Sequence, residues 1–456
     1  MSLFLDFPAW MVYPFLFALG ATIGSFLNVV ILRTPWKETL WEQWNCLSDK
    51  CSHCPRCKAD IRWYDNIPIF GWLKLGGRCR NCRMGISPRY PIIETLNALL
   101  FVLLYWMEIP LGFNRAITDS CLFSPIGPWA FPGYGWMSPE LGLHLQFFFH
   151  LALVEALLVA SVIDLDHRII PEITTSPITV FGVVMSAAIA RVHLVPVWYQ
   201  SATLERDFGI LLGEEWRHLL DLPAGAVVDG PIWVPAWITA HPHVHGLVVS
   251  LAGAFMGYAL IKLVRELGNR VLHRESMGIG DIYLMIAIGA FLGWQATIVA
   301  FFIAPVWGLL FAVGQRFIYR DDYIPYGPFL SLGALVTLLF WSSIFERTHR
   351  IFELGVILIP MFVCMVVLFI LSLLMVQGAK WMLGLSLDLE PEFEGEFGPA
   401  DQTSFFAGEF VNRWSGRWKM QDWEGNSAGR GQVHEERWRN GRDKPLGPPR
   451  RDLRDS

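Results

Sequence analysis

The stretch "FFFHLALVEALLVASVIDLDHRIIP" (residues 147 to 171) runs from a long apolar segment directly into two aspartates, a histidine and an arginine. An apolar run of this kind reads as a helix that enters a hydrocarbon core, which is about 30 Å thick and takes about 20 helical residues to cross. Ionised groups are costly in that medium. Asp164 and Asp166 therefore mark either the membrane boundary or a site that uses their charge. The pattern recurs along the 456 residues, of which 53% are hydrophobic and 17% charged. Besides 143–164, apolar stretches fall near 8–32, 91–109, 173–195, 244–264, 281–295, 297–315, 329–345 and 352–376. The expected fold is an all-α polytopic membrane protein with about eight or nine transmembrane helices.

Loop charge orients these spans. Segment 33–90 carries eleven Lys and Arg between Arg33 and Arg89, whereas 110–142 has only Arg115. The positive-inside bias places 33–90 in the cytoplasm. Continuing the alternation, 196–243, with six acids against two arginines, falls outside, and "KLVRELGNRVLHR" (262–274) falls inside. Arg347 and Arg350 land outside and run against the rule for the last two helices. The N-terminus lacks a basic leader region and a small-residue cleavage site, so residues 1–32 read as a retained first transmembrane helix. Four segments follow from this reading. They are that helix, a cytoplasmic loop domain at 33–90, a membrane core at 91–376 with outside insertions near 110–142 and 196–243, and a polar tail at 385–456. The tail has an acidic block and then a basic one, with the composition of a disordered cytoplasmic segment. A formal net charge of -5 gives no basic face for nucleic acid, which is not an expected partner.

On this topology Asp164 ends the third span at the cytoplasmic side. Asp281, in "MGIGDIYLMIAIGAFLGW" (277–294), begins the sixth from the same side. Two carboxylates brought close in a low-dielectric site share a proton, so that one activates water while the other donates to a carbonyl. That is aspartic protease chemistry. The plainer alternative makes each acid a helix cap or an interfacial charge, and position alone does not separate Asp164 from Asp166. A transporter is the rival from another class, with acids near mid-depth and symmetry between halves. Here the acids gather at one face and no repeat is visible.

Six of the eight cysteines lie between residues 46 and 82. Cys54, Cys57, Cys79 and Cys82 form two CxxC pairs, a spacing that presents four thiolates to a structural zinc ion in a reducing compartment. Cys46 and Cys51 lie close enough in sequence to exchange with them. "HPHVHG" (241–246) has metal-capable spacing, but no acid or cysteine accompanies it, and an incidental polar rim is the favoured reading. Asn28, inside the first span, needs a hydrogen-bond partner. Gly20 with Gly24 and Gly253 with Gly257 suit close helix packing within the chain.

Five blocks in order, "GATIGSFLNVVILRTP" (20–35), "CPRCKADIRWYDNIPIFGWLKLGGRCRNCRMGISPRYPIIETLNALLF" (54–101), "LVASVIDLDHRIIP" (158–171), "GIGDIYLMIAIGAFLGW" (278–294) and "IPYGPFLSLGAL" (324–335), resemble the bacterial prepilin peptidases, also called type IV leader peptidases. The resemblance implies a membrane aspartic endopeptidase of the GxGD type in the bacterial inner membrane. Such an enzyme removes the basic leader of type IV prepilins or type II secretion pseudopilins at the cytoplasmic face. It implies Asp164 and Asp281 as the catalytic pair, Asp166 as a neighbour, and a zinc-stapled loop domain. It also implies a second activity, N-methylation of the new N-terminus from S-adenosylmethionine, with Gly77, Arg78 and Glu94 as cofactor-binding residues. No GxGxxG methyltransferase domain is present. Two positions depart from the family pattern: Tyr283 stands where a lysine is common, and Arg78 stands where the family usually has lysine. A homologue that binds pilins without cutting them is the remaining alternative.

Overall fold

The computed structural model describes residues 8–37, 39–48, 53–54, 57, 59–109, 139–190, 192–201, 232–233, 236–272, 277–318, 325–354, 358–382, 409–412 and 417–420. Two units are distinguished, residues 1–374 and 375–456. In the first, α1 (Ala9–Arg33) leads into the basic loop segment, which carries two short helices, α2 (Leu40–Ser48) and α3 (Phe70–Lys74). α4 (Arg89–Glu108), α5 (Pro139–His167), α6 (Glu172–Ile189), the one-turn α7 (Ala236–Ala240), α8 (Pro242–Leu272), α9 (Ile279–Leu292), α10 (Trp294–Ile318), α11 (Gly327–Leu339) and α12 (Trp341–Phe352) follow. α13 (Leu358–Met382) crosses the boundary between the units.

Seven of these helices, α1, α4, α5, α6, α8, α10 and α13, are long and apolar enough to cross a membrane, and α11 with α12 makes an eighth if the bent pair counts as one span. α9 is apolar over its 14 residues but shorter. The protein is a multi-pass membrane protein. The stretch read as a straight span at 329–345 instead breaks, with α11 and α12 meeting at 91°. α12 buries Trp341, Phe345 and Phe352 along one face and leaves Glu346, Arg347 and Arg350 on the other. The two arginines that contradicted the charge rule belong to this amphipathic turn-away helix.

Small residues decide which helices approach closely. A methyl group at Gly20 would strike the Cα of Ala98, and one at Gly24 the Cα of Glu94, so α1 lies tight against α4. Gly253 and Gly257 of α8 face the carbonyl oxygens of Gly289 and Met285 on α9 in the same way. Lipid tails offer no hydrophobic drive between helices, so such close backbone packing and interhelical hydrogen bonds carry the association. Asn28 Nδ2 donates to the Tyr90 carbonyl at 3.2 Å and Asn97 Nδ2 to that of Gly20 at 2.9 Å. Asn28 thus has its partner across α1 and α4. The core between the helices is aromatic: Phe101, Phe147, Phe149, Phe291 and Trp341 are fully buried, and Phe149 stacks on Phe291 with ring centroids 4.4 Å apart.

Among the described residues, the strands form two short antiparallel pairs, β1 (Gln200–Ser201) with β2 (Ile232–Trp233), and β3 (Glu409–Asn412) with β4 (Arg417–Met420). The first closes the neck of the second expected insertion. Residues 110–138 and 202–231, the bulk of the two insertions, lie outside the described residues, as do Cys51 and Cys121. In the tail, expected to lack regular structure, β3 and β4 pair as antiparallel strands. Phe410, Val411 and Trp418, residue types that favour strands, carry that signal. The remainder of 385–456 lies outside the described residues.

Candidate active site

The stretch that ends α5 places Asp164 in the last helical turn. The helix stops when Arg168 adopts a left-handed φ of 58°, its amide donating to the Asp164 carbonyl at 2.9 Å. This sharp exit turns Ile170 back toward the bundle before Pro171 starts α6. Asp281 sits in the first turn of α9, where its Oδ2 accepts the Gly278 amide at 3.2 Å. Gly278 and Gly280 thus frame a helix start whose backbone is reached by its own acid.

A third element completes the arrangement. The Gly327 amide, at the start of α11, donates to Asp164 Oδ2 at 3.0 Å. A methyl group at Gly327 would lie 2.6 Å from that same oxygen, so only glycine allows the approach. Ile170 packs against both turns, since a methyl at Gly280 would meet its Cβ at 3.0 Å and one at Gly327 its Cδ1 at 3.1 Å. Asp164 and Asp281 are 6% and 8% exposed, and each lies within electrostatic reach of the other. α5, α9 and α11 pack on one another around them. Asp166, two residues on, is exposed and pairs with Arg89 at the start of α4. Sequence position left Asp164 and Asp166 equivalent; burial and partners separate them. Gly327 and Ile170 were within quoted motifs but had no assigned part, because no residue spacing signals a bond over 163 positions.

The four cysteines meet in the loop segment. Their sulfur atoms all lie within 4.8 Å of one another, with Cys54 and Cys82 at 3.8 Å and Cys57 and Cys79 at 3.9 Å. Each CxxC turn closes on itself: the Cys54 amide donates to Ala59 O at 2.9 Å, and the Cys79 amide to Met84 O at 2.8 Å. The Ala59 amide and the Asn81 side chain pull the Cys57 thiol down to about 6, and backbone amides of Cys82 and Asn81 lower Cys79. Cys82 moves the other way: the Met84 amide lowers it, but burial and the neighbouring sulfurs outweigh that and push it up to about 11, so Cys57 and Cys79 are the two thiols most ready to bind a metal ion as thiolates. This is the one group among the described residues able to hold a metal. Cys46 stays apart, its sulfur on the Gln43 carbonyl, and Cys364 is exposed on α13. The histidines of "HPHVHG" go to separate packing partners: His243 Nδ1 meets Ala187 O at 2.7 Å, and His245 Nε2 accepts the Val197 amide at 3.0 Å.

Between the loop segment and α1 and α4 lies a cavity of about 720 Å³. Asn28, Asp65, Trp72, Tyr90 and Glu94 contribute to its wall. Asp65 is held by both Nε and Nη2 of Arg80 at 2.6 Å, and that guanidinium keeps its carboxyl below the usual carboxylate range. Glu94 Oε2 accepts the Ile69 amide at 2.7 Å. Of the three residues expected to bind a cofactor, Glu94 lines this cavity. Gly77 is buried against Trp72 and Arg78 is exposed, paired in a short bridge with Gly85, and neither is part of the wall.

Residues 18–108 match the bacterial peptidase A24 N-terminal domain, and residues 230–313 match the type IV leader peptidase family. The first contains the cysteine cluster and Glu94, the second Asp281; Asp164 falls between them. Among curated relatives, the type 4 prepilin-like proteins leader peptide-processing enzyme of Escherichia coli is 29% identical over 74% of this chain and 97% of its own length. The prepilin leader peptidase/N-methyltransferase of Aeromonas salmonicida is 27% identical over 74% of this chain and 93% of its own. That of Pseudomonas aeruginosa is 26% identical over 73% and 91%. No solved structure matches the chain.

Proposed function

We propose, from the premise that the chain belongs to the type IV leader peptidase family, that Asp164 and Asp281 are the catalytic carboxylates with which it cleaves the leader from prepilins or pseudopilins. The convergence of two buried aspartates from α5 and α9 under the Gly327 amide carries this reading. In the resting pair one proton serves two carboxylates, because two adjacent charges in a site of low dielectric repel strongly. Asp164, whose Oδ2 accepts the Gly327 N–H, is assigned as the base. Asp164 takes a proton from water, whose oxygen attacks the scissile carbonyl carbon. Asp281 gives its proton to the carbonyl oxygen, forming a tetrahedral diol. Collapse of the diol breaks the C–N bond as one diol hydroxyl returns its proton to Asp281, and the proton held by Asp164 passes to the leaving amine, which is the N-terminus of the mature pilin. The non-cleaving, transporter and interfacial-charge readings leave the shared Gly327 and Ile170 cradle without a role.

The cysteine cluster is assigned to a structural zinc ion, since four thiols at mutual distances under 4.8 Å fit a closed tetrahedral site. The methyl transfer named in the relatives is assigned to the cavity beside that cluster. S-adenosylmethionine supplies an activated methyl group on a sulfonium cation. Glu94, an acid on this wall not taken up by Arg80, with aromatic rings at Trp72 and Tyr90, suits a cationic, purine-bearing ligand, whose carboxylate would meet Arg33 or Arg62 on the same wall, and the volume is within the usual range for one. Glu94 would accept the proton released when the amine becomes methylated. The basic 33–90 segment supports a cytoplasmic placement of both sites in the inner membrane, the side on which a basic leader is retained.

The test is cleavage of a type IV prepilin co-reconstituted in liposomes, followed by gel shift and N-terminal mass spectrometry. Wild type is expected to cut and Asp164→Asn and Asp281→Asn to leave the precursor intact. Normal cutting by either variant removes that residue from the dyad. A mass increase of one methylene on the new N-terminus establishes the second activity, and its absence with S-adenosylmethionine present refutes it.

A further inference from the structure

Segment "IPIFGWL" (67–73) leads through α3 in the loop domain and presents large apolar side chains outward: Ile67 is 43% exposed, Phe70 68% and Leu73 59%. In a soluble lobe such a stripe would sit in water. Its depth says otherwise. Arg89 begins α4 and pairs with Asp166 at the end of α5, and Arg33 ends α1, so these charges mark where the spans leave the hydrocarbon. Ile69 is tied by its amide to Glu94, which lies five residues beyond Arg89 and so about 7.5 Å further in at 1.5 Å per residue. The same cavity wall that holds Ile67 and Ile69 runs along α1 from Arg33 to Ser25, eight residues and about 12 Å further in. The outward faces of Ile67, Phe70 and Leu73 therefore stand below the charged collar.

We infer that residues 67–73 form a wedge embedded in the bilayer leaflet on the side of the loop domain, with Phe70 and Leu73 in contact with acyl chains. Cations stand beside it in the chain: Arg62 and Lys74 lie over the Tyr64 ring at 5.9 and 5.2 Å, and Trp63 is 81% exposed. Aromatic and basic residues together favour the interface of an anionic leaflet. The wedge fixes the wall of the cavity, since Trp72 on the same turn donates its indole N–H to Ile86 O at 3.0 Å. The other candidate occupant is the apolar segment of a prepilin. Lipid is favoured because the stripe is anchored to α4 through Ile69 and Glu94 and is flanked by Arg62 and Lys74. The inference does not depend on the catalytic reading.

The full chain is placed in nanodiscs of phosphatidylethanolamine and phosphatidylglycerol with the photoreactive residue p-benzoylphenylalanine at position 70 or 73. The same residue at 309, an exposed position on α10, reports lipid, and at exposed Arg83 it reports the water-facing knuckle. After irradiation, mass spectrometry is expected to find lipid adducts at 70 and 73 in yields comparable to 309, with none at 83. Absence of lipid adducts at 70 and 73 while 309 gives them overturns the inference. So does their replacement by prepilin adducts when substrate is present, which would give the stripe to the substrate instead.

Discussion

The cysteine cluster and the carboxylate site are assembled in opposite ways. Cys54 and Cys82 are 28 positions apart, and each CxxC pair closes through its own backbone turn, so the loop segment brings its ligands together by local folding. Asp164 and Gly327 are 163 positions apart, and nothing near either in sequence positions the other. That site exists only because α5, α9 and α11 pack on one another. The first kind of site depends on its ligands and tolerates changes in the bundle. The second depends on helix packing, and glycines at its contacts matter as much as its acids.

The sharpest way to break the comparison is to remove one carboxylate. Asp164→Asn or Asp281→Asn is expected to lower the cleavage rate by at least about 10²–10⁴-fold, the usual weight of positioned acid–base groups, while metal content by atomic spectroscopy stays at wild-type level. Asp166→Asn is expected to keep most of the rate, since Asp166 faces Arg89. A fall in activity for Asp166→Asn equal to that for Asp164→Asn would undo the distinction drawn from burial. Next comes the packing glycine. Gly327→Ala pushes a methyl against Asp164 Oδ2, and the expected cost is about 10²-fold in kcat, as for other displacements of about 1 Å, with KM little changed. An unaffected kcat would show that the Gly327 amide plays no part in the chemistry.

Smaller effects on cleavage are expected from the cysteine lobe. Cys54→Ser should release the metal and the lobe's resistance to protease and abolish methyl transfer, while peptide cleavage keeps at least about a tenth of its rate. Equal loss of both activities would mean that the two sites are one unit. The smallest effect concerns acid. Asp65 has its carboxyl lowered from 3.8 by Arg80, so its contribution to the lobe is complete above that value and fades only as pH falls through the lower folded one. Limited proteolysis of the lobe between pH 8 and pH 4 should show no loss traceable to this pair, and Asp65→Asn should abolish only the more acidic component.

Legibility in the sequence followed the range of the interaction. The CxxC spacing was readable because both turns are local, and the mutual approach of the four sulfurs agrees with it. The apolar runs were readable because a span needs only length and hydropathy, and all nine expected stretches have helical counterparts. The break between α11 and α12 was not, because the run stays apolar across Phe340; only the exposed Arg347 and Arg350 hinted at it. Asp164 and Asp166 were inseparable by position, since both close the same helix. The cofactor-binding trio divided for a similar reason: Glu94 lines the cavity because α4 packs on α1, while neighbouring Gly77 and Arg78 belong to the turn that supports the knuckle.

By itself, then, the sequence determined that the chain spans a membrane many times, carries a four-thiol lobe on a basic loop, and holds acids at span ends, because hydropathy, spacing and charge act over a few residues. Tertiary structure decided which acid is buried, that Gly327 donates to it, that a cavity opens between lobe and helices, and that "IPIFGWL" turns Ile67, Phe70 and Leu73 outward. Those outcomes depend on the approach of distant backbones, set by Gly20, Gly24, Gly253 and Gly257 in contacts that no single segment encodes.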